Sequence, residues 1–96
     1  MRVARADLDE VLQHCRHDRV QTIALTPRGG QPFFATDFHG PSALLLGSEG
    51  PGLPDSVLRQ ADHQVSIPMG GPVESLNVGV AAALVLYEAF RQRTAQ

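Results

Sequence analysis

Ala43-Leu44-Leu45-Leu46 is a continuous apolar run, closed by Gly47 and preceded by Pro41-Ser42. So short a run, with no polar alternation, predicts a strand over Ala43 to Gly47 that is buried on both faces. Strands buried in this way belong to parallel sheets with helices on their faces.

The rest of the chain supplies that alternation. Arg2 to Ala6 reads as a short strand. Asp7 then resembles an N-cap, with Glu10 three residues on as in a capping box. Leu8, Val11, Leu12 and Cys15 recur at helical spacing, which predicts a helix ending near His17. The β-branched stretch Val20 to Thr26 reads as a strand, and Pro27 to Pro32 as a loop. Phe33, Phe34 and Phe38 follow with no clear period, and suit a core or an interface better than a base-stacking platform.

The glycine-rich loop Gly47 to Gly52 comes after the apolar run. Pro54 to Ala61 then reads as a short helix with proline in its first turn. His63 to Pro68 alternates as a strand, Met69 to Glu74 forms a loop, and a last helix starts near Ser75. In that helix Leu76, Val80, Ala83, Tyr87 and Phe90 are the expected main buried stripe. Val78, Ala82, Val85 and Leu86 widen it until most of the circumference is apolar. The expectation is a single α/β domain, residues 1–96, with a mostly parallel sheet and flanking helices.

Composition narrows the function classes. A hydrophobic share of 43% argues against a disordered chain. A net charge of −2 gives no strong field for nucleic acid. All eight basic residues are arginine, which would suit phosphate contacts if they clustered in space. The single cysteine, Cys15, rules out an intramolecular disulfide and a cysteine-rich zinc site. The apolar runs are too short to span a bilayer and the start lacks the apolar core of a signal peptide, so a cytoplasmic setting with no membrane partner is expected.

In an open parallel sheet, ligands bind at the carboxyl edge, where loops leave the strands. Loops 47–52 and 69–74 both follow strands, so they should share that edge as neighbours. Glu49 is the one acid of the first loop, with glycines either side; it is a ligand contact or a solvated glutamate on a turn. Ser75 and Asn77 stand where the last helix starts; they are helix caps, or they join the first-turn amides in presenting donors to a ligand. His14 and His17 share a helix face without a clear third ligand, so no metal site is assigned. Ser48 is not in a nucleophile elbow, and Gly-Gly-Pro-Val-Glu-Ser lacks the lysine of a phosphate loop.

Leu44 to Leu53 (LLLGSEGPGL) and Ile67 to Arg91 (IPMGGPVESLNVGVAAALVLYEAFR) closely resemble the second and third motifs of the SpoU (TrmH-like) RNA methyltransferases. The spacing between the two motifs fits as well. That family belongs to the SPOUT class, whose α/β domain carries a deep trefoil knot. The resemblance implies S-adenosylmethionine-dependent methylation of a ribose 2′-hydroxyl in rRNA or tRNA, by a homodimer. It implies that Leu46, Gly47, Ser48, Glu49 and Gly50 line the cofactor pocket. Ile67, Pro68 and Met69 would meet the adenine largely through backbone, Leu76 would wall the pocket, and Ser75 and Asn77 would organise the catalytic edge beside Glu49.

The family's first motif, an asparagine followed six residues later by an arginine, has no match here, since Asn77 is the only asparagine. The resemblance therefore implies the second part of the catalytic domain, truncated at the N-terminal side. An excised piece, a natural remnant and one half of a two-chain enzyme are all compatible with that. The absent opening strand should bare a sheet edge, leave Phe33, Phe34, Phe38 and the strand at 43–46 without cover, and drive self-association. The alternative function is a catalytically inactive knot-fold scaffold for dimerisation.

Overall fold

A computed structural model of the chain describes residues 2–4, 8–26, 29–47, 52–67 and 78–94. Five strands are present among them: β1 (Arg2–Ala4), β2 (Gln21–Leu25), β3 (Gln31–Pro32), β4 (Ser42–Leu45) and β5 (His63–Ser66). Three α-helices accompany them: α1 (Leu8–His17), α2 (Asp55–Gln60) and α3 (Val78–Thr94). A turn of 3-10 helix covers Phe33–Ala35. The strands form one sheet in the order β1-β4-β2-β5-β3, and every pairing is parallel. No two strands adjacent in sequence are adjacent in this sheet.

Leu12 and Cys15 are the buried residues of α1, with Leu8 and Val11 half-buried, which is the face that its spacing predicts. The helix ends on a Schellman motif. Val20 N–H donates to the Cys15 carbonyl at 2.8 Å, Arg19 N–H donates to the Arg16 carbonyl, and Arg19 takes the left-handed position with φ 59°. The Asp7 capping box lies outside the described residues.

Two cores sandwich the sheet. On one face Ile23, Leu44 and Val65 pack with Phe38 and with Ala82, Val85 and Ala89 of α3. On the other, Ala24 and Leu45 pack with Leu12 of α1 and with Leu53 and Val57 at α2. Successive residues of a strand face opposite ways, so β4 buries apolar side chains on both faces at Ala43, Leu44 and Leu45, while Ser42 at its start donates its hydroxyl to the Gly40 carbonyl. The four residues of β4 are all buried.

The structure corrects three expectations. The strand at 43–46 does not lose cover: β4 lies between β1 and β2, and β1 takes the edge. Phe38 is fully buried and Phe33 is half-buried, which leaves only Phe34 well exposed. The expected buried stripe of α3 is turned outward. Val80, Ala83, Tyr87 and Phe90 are exposed, while Ala81, Ala82, Val85, Glu88 and Ala89 face inward. Small side chains let this helix approach the sheet closely, and an all-round apolar helix leaves side-chain size, not periodicity, to select the face. Leu76 lies outside the described residues.

The end of α3 is strapped to the segment before β4. Phe38 N–H donates to Gln92 Oε1 at 2.7 Å, and Gln92 Nε2 donates to the Thr36 carbonyl at 2.7 Å. Arg93 donates to the Phe38 and Gly40 carbonyls, each at 2.8 Å. Inside the helix, buried Glu88 takes two bonds from Arg91 and one from Gln92, all at 2.8 Å. These bonds hold its carboxyl well down, to about 2 from the ordinary 4.5, against the opposing effect of burial.

Candidate active site at the carboxyl edge of the sheet

The three inner strands β4, β2 and β5 end together. β4 runs out into Leu46 and Gly47, β2 into Thr26, and β5 into Ile67. Thr26 N–H donates to the Val65 carbonyl at 2.9 Å, which ties β2 to β5 at this edge. Loops 47–52 and 69–74 therefore depart from the same edge. The strands that carry them are not adjacent: β2 stands between β4 and β5, a separation of about 10 Å for two strand spacings.

The first loop is closed at its base. A Cβ on Gly47 would collide with the Gly52 carbonyl carbon and the Leu53 nitrogen, so residues 47 and 52–53 meet with no room for a side chain. Gly52 has φ 71°, a conformation that favours glycine, and Leu53 then turns inward to the α2 core. Pro54 starts α2 directly afterwards. Gly47 and Gly52-Leu53 thus form a pinched neck just past the end of β4.

Of the expected cofactor residues, the structure places Leu46, Gly47 and Ile67 at this edge, each half-buried. Leu46 packs against the α3-side core. Ser48, Glu49, Gly50, Pro68, Met69, Ser75, Leu76 and Asn77 lie outside the described residues. Thr26 stands at the same edge although no motif marks it. It is buried at the end of the central strand, and position at the carboxyl end of the middle strand is the signal that could have found it. The described residues contain no group of three or more histidine, cysteine or carboxylate side chains that could hold a metal, and no helix long and apolar enough to cross a membrane.

An open, wholly parallel sheet with a glycine-necked loop at its carboxyl edge defines an α/β protein with a ligand site there. The comparisons with known proteins make the class specific. Residues 2–87 match the SpoU rRNA Methylase family, and the chain belongs to that family. A 23S rRNA (guanosine-2′-O-)-methyltransferase of Ralstonia nicotianae is 41% identical over 92% of this chain and 35% of its own length. An uncharacterized tRNA/rRNA methyltransferase of Synechocystis is 42% identical over 92% of this chain and 32% of its own. Among solved structures, an RNA 2′-O ribose methyltransferase superposes with a TM-score of 0.82 at 41% identity, over 92% of this chain and 34% of that one. The SpoU methyltransferase AviRb of Streptomyces viridochromogenes, in complex with the cofactor AdoMet, gives 0.83 at 35% identity, over 92% and 37%. The chain thus spans about a third of the length of these relatives.

Proposed function

We propose that this chain is the cofactor-binding part of an S-adenosylmethionine-dependent methyltransferase acting on ribose 2′-hydroxyls of rRNA or tRNA. The observation that carries the proposal is the pinched neck at Gly47 and Gly52-Leu53, on the carboxyl edge of a sheet that superposes on a cofactor-bound SpoU enzyme. A neck without a Cβ brings backbone groups within reach of a ligand that a side chain would displace. The relatives' names describe methyltransferases, which supports an enzymatic reading over the inactive scaffold.

In this reading Leu46, Gly47, Ser48, Glu49 and Gly50 hold the cofactor from the β4 side. Ile67, Pro68 and Met69 hold its adenine from the β5 side, and Leu76 closes the pocket. The bound cofactor supplies an electrophilic methyl carbon on a sulfonium. Glu49, Ser75 and Asn77 would orient the ribose hydroxyl towards the methyl donor, since holding reacting groups in place removes an entropic part of the barrier. The family's trefoil knot and a cytoplasmic setting belong to the same proposal.

The homodimer has its own support. Val80, Leu84, Tyr87 and Phe90 of α3 are exposed, at 52%, 39%, 69% and 60%, opposite the face that meets the sheet. Tyr87 and Phe90 stack with ring centroids 6.2 Å apart. A helix apolar on both sides is stable when both sides are covered. A second copy of α3 is the complementary surface that every molecule of this protein brings with it.

Titration calorimetry with S-adenosylmethionine tests the cofactor reading. One site per chain is expected, with stabilisation of about 2.7 kcal/mol when the ligand stands at 100 times its dissociation constant. No heat and no thermal shift at about millimolar cofactor, far above the affinity such a site needs, would overturn it.

A further inference from the structure

We propose that the amino edge of the sheet, opposite the cofactor edge, carries a second contact for RNA. A cleft there takes one backbone phosphate between Arg19 and His63 and a ribose hydroxyl on Asp37. The inference rests on the RNA reading above but uses none of its residues.

Arginines stand along this edge on both faces of the sheet. The five with described side chains are Arg16, Arg19, Arg59, Arg91 and Arg93. All stand in or just beyond the last turn of a helix, at the edge where the strands begin. His14, His17, His39 and His63 lie there too. The helix dipole explains cations at helix ends. It does not explain which of them remain free. Arg91 is spent on Glu88, and Arg93 on the Phe38 and Gly40 carbonyls. Arg16, Arg19 and Arg59 have no salt bridge or side-chain hydrogen bond among the described residues.

Two acids of this edge, Asp18 and Asp62, are engaged. Asp18 faces His17 at 3.1 Å. Asp62 takes the Thr22 N–H at 2.8 Å, and Thr22 Oγ1 takes the Asp62 N–H at 2.9 Å. Uncommitted positive charge is therefore what this edge offers to a polyanion.

A cleft of about 360 Å³ opens among these groups, lined by Arg19, Gln21, Asp37, Gly40, Pro41 and His63. That volume is in the range of pockets that hold small ligands. Its floor is fixed, because Gln21 Nε2 donates to the Asp37 carbonyl at 2.8 Å and to Ser42 Oγ at 2.7 Å. Arg19 occupies the left-handed position that ends α1, where glycine is the unstrained choice. Arg19, held there at a conformational cost, lines the cleft and carries five donors on its side chain.

Asp37 decides the class of polyanion. Its Oδ1 accepts the His39 backbone N–H at 2.9 Å and faces the His39 ring at 2.7 Å. The His39 N–H, and then its ring, hold the Asp37 carboxyl below its ordinary value, so it stays an acceptor. Oδ2 has no partner among the described residues. A carboxylate beside a phosphate site repels a second phosphate and accepts a hydroxyl, which is the feature that separates RNA from DNA.

Fluorescence anisotropy with a short single-stranded RNA, and with DNA of the same sequence, tests this at about 50 mM salt and above. The wild type is expected to prefer RNA. Arg19→Ala with His63→Ala should weaken RNA binding about tenfold and reduce the salt slope by about one for the lost phosphate. Arg19→Gly should weaken RNA binding as well while raising the melting temperature, because it relieves the left-handed residue. Asp37→Asn should erase the preference for RNA over DNA. Unchanged affinity and slope in the double variant would overturn the proposal, as would a wild type that takes up S-adenosylmethionine but no RNA. RNA binding lost in the double variant of a chain that takes up no cofactor would sustain this contact and sink the cofactor reading.

Discussion

Glu88 shows how one residue can be buried against its chemistry. It lies on the inward face of α3 with its side chain 8% exposed, in a run that reads as apolar. Two bonds from Arg91 and one from Gln92 satisfy it, and Gln92 in turn grips Thr36 and Phe38. Its folded value of about 2 lies below the ordinary 4.5, so its contribution is present above pH 4.5 and is lost as pH falls towards 2. Glu88→Gln is expected to lower unfolding stability by about 2 kcal/mol at neutral pH, the scale of hydrogen bonds to a charged group. The solvent-exposed guanidinium of Arg91 keeps the figure from being larger. Urea titrations at pH 7 and pH 3 should show the deficit shrinking at the lower pH; an equal deficit at both would assign it to shape alone. None of this could be read from the sequence, since a glutamate among alanines signals a solvent face until its partners at i+3 and i+4 are seen to fold back on it.

At the scale of elements, legibility depended on how strongly pattern and packing agreed. β4 was legible because an unbroken apolar run has no solvent face to offer, and α1 because its four apolar positions mark one side only. β3 was hidden in a proline-glycine stretch: Gln31 and Pro32 are a strand only because Val65 and Ser66 lie alongside. The outward turn of α3 was illegible for the reason that makes it interesting, an apolar circumference that fits a core on either side. Of the candidate site, the carboxyl edge was legible, and Leu46, Gly47 and Ile67 stand on it. What pattern could not give is the intervening strand β2, which is a fact of sheet order. The neck of the first loop is the sharpest test at this scale. Gly47→Ala forces a methyl into the Gly52-Leu53 backbone. It should cost about 2 kcal/mol or more of stability and should reduce S-adenosylmethionine affinity at least tenfold, read by calorimetry. A stable variant with unaltered affinity would show that the neck does not shape the pocket.

For the whole molecule, the homodimer proposed above puts the exposed face of α3 at the contact between copies. Tyr87→Asp with Phe90→Asp should convert a dimer to a monomer, followed by light scattering, with the circular dichroism spectrum retained because neither side chain touches the core. A wild type that is already monomeric at micromolar concentration would remove the reason for that face. The order of the sheet has a different consequence, for the route by which the chain reaches its native form. The shortest ladder already joins Gln21 to Ser42, and the others reach further, from Arg2 to Ala43 and from Ile23 to His63. Among the described residues there is no hairpin from which pairing could zip outward, so each ladder must first close a long loop of disordered chain. Such a topology folds slowly for its length, in the range of milliseconds to seconds typical of non-local sheets. The central strand cannot be secured until the last, β5, has been made, and the unpaired strands must be kept from other chains for that whole interval.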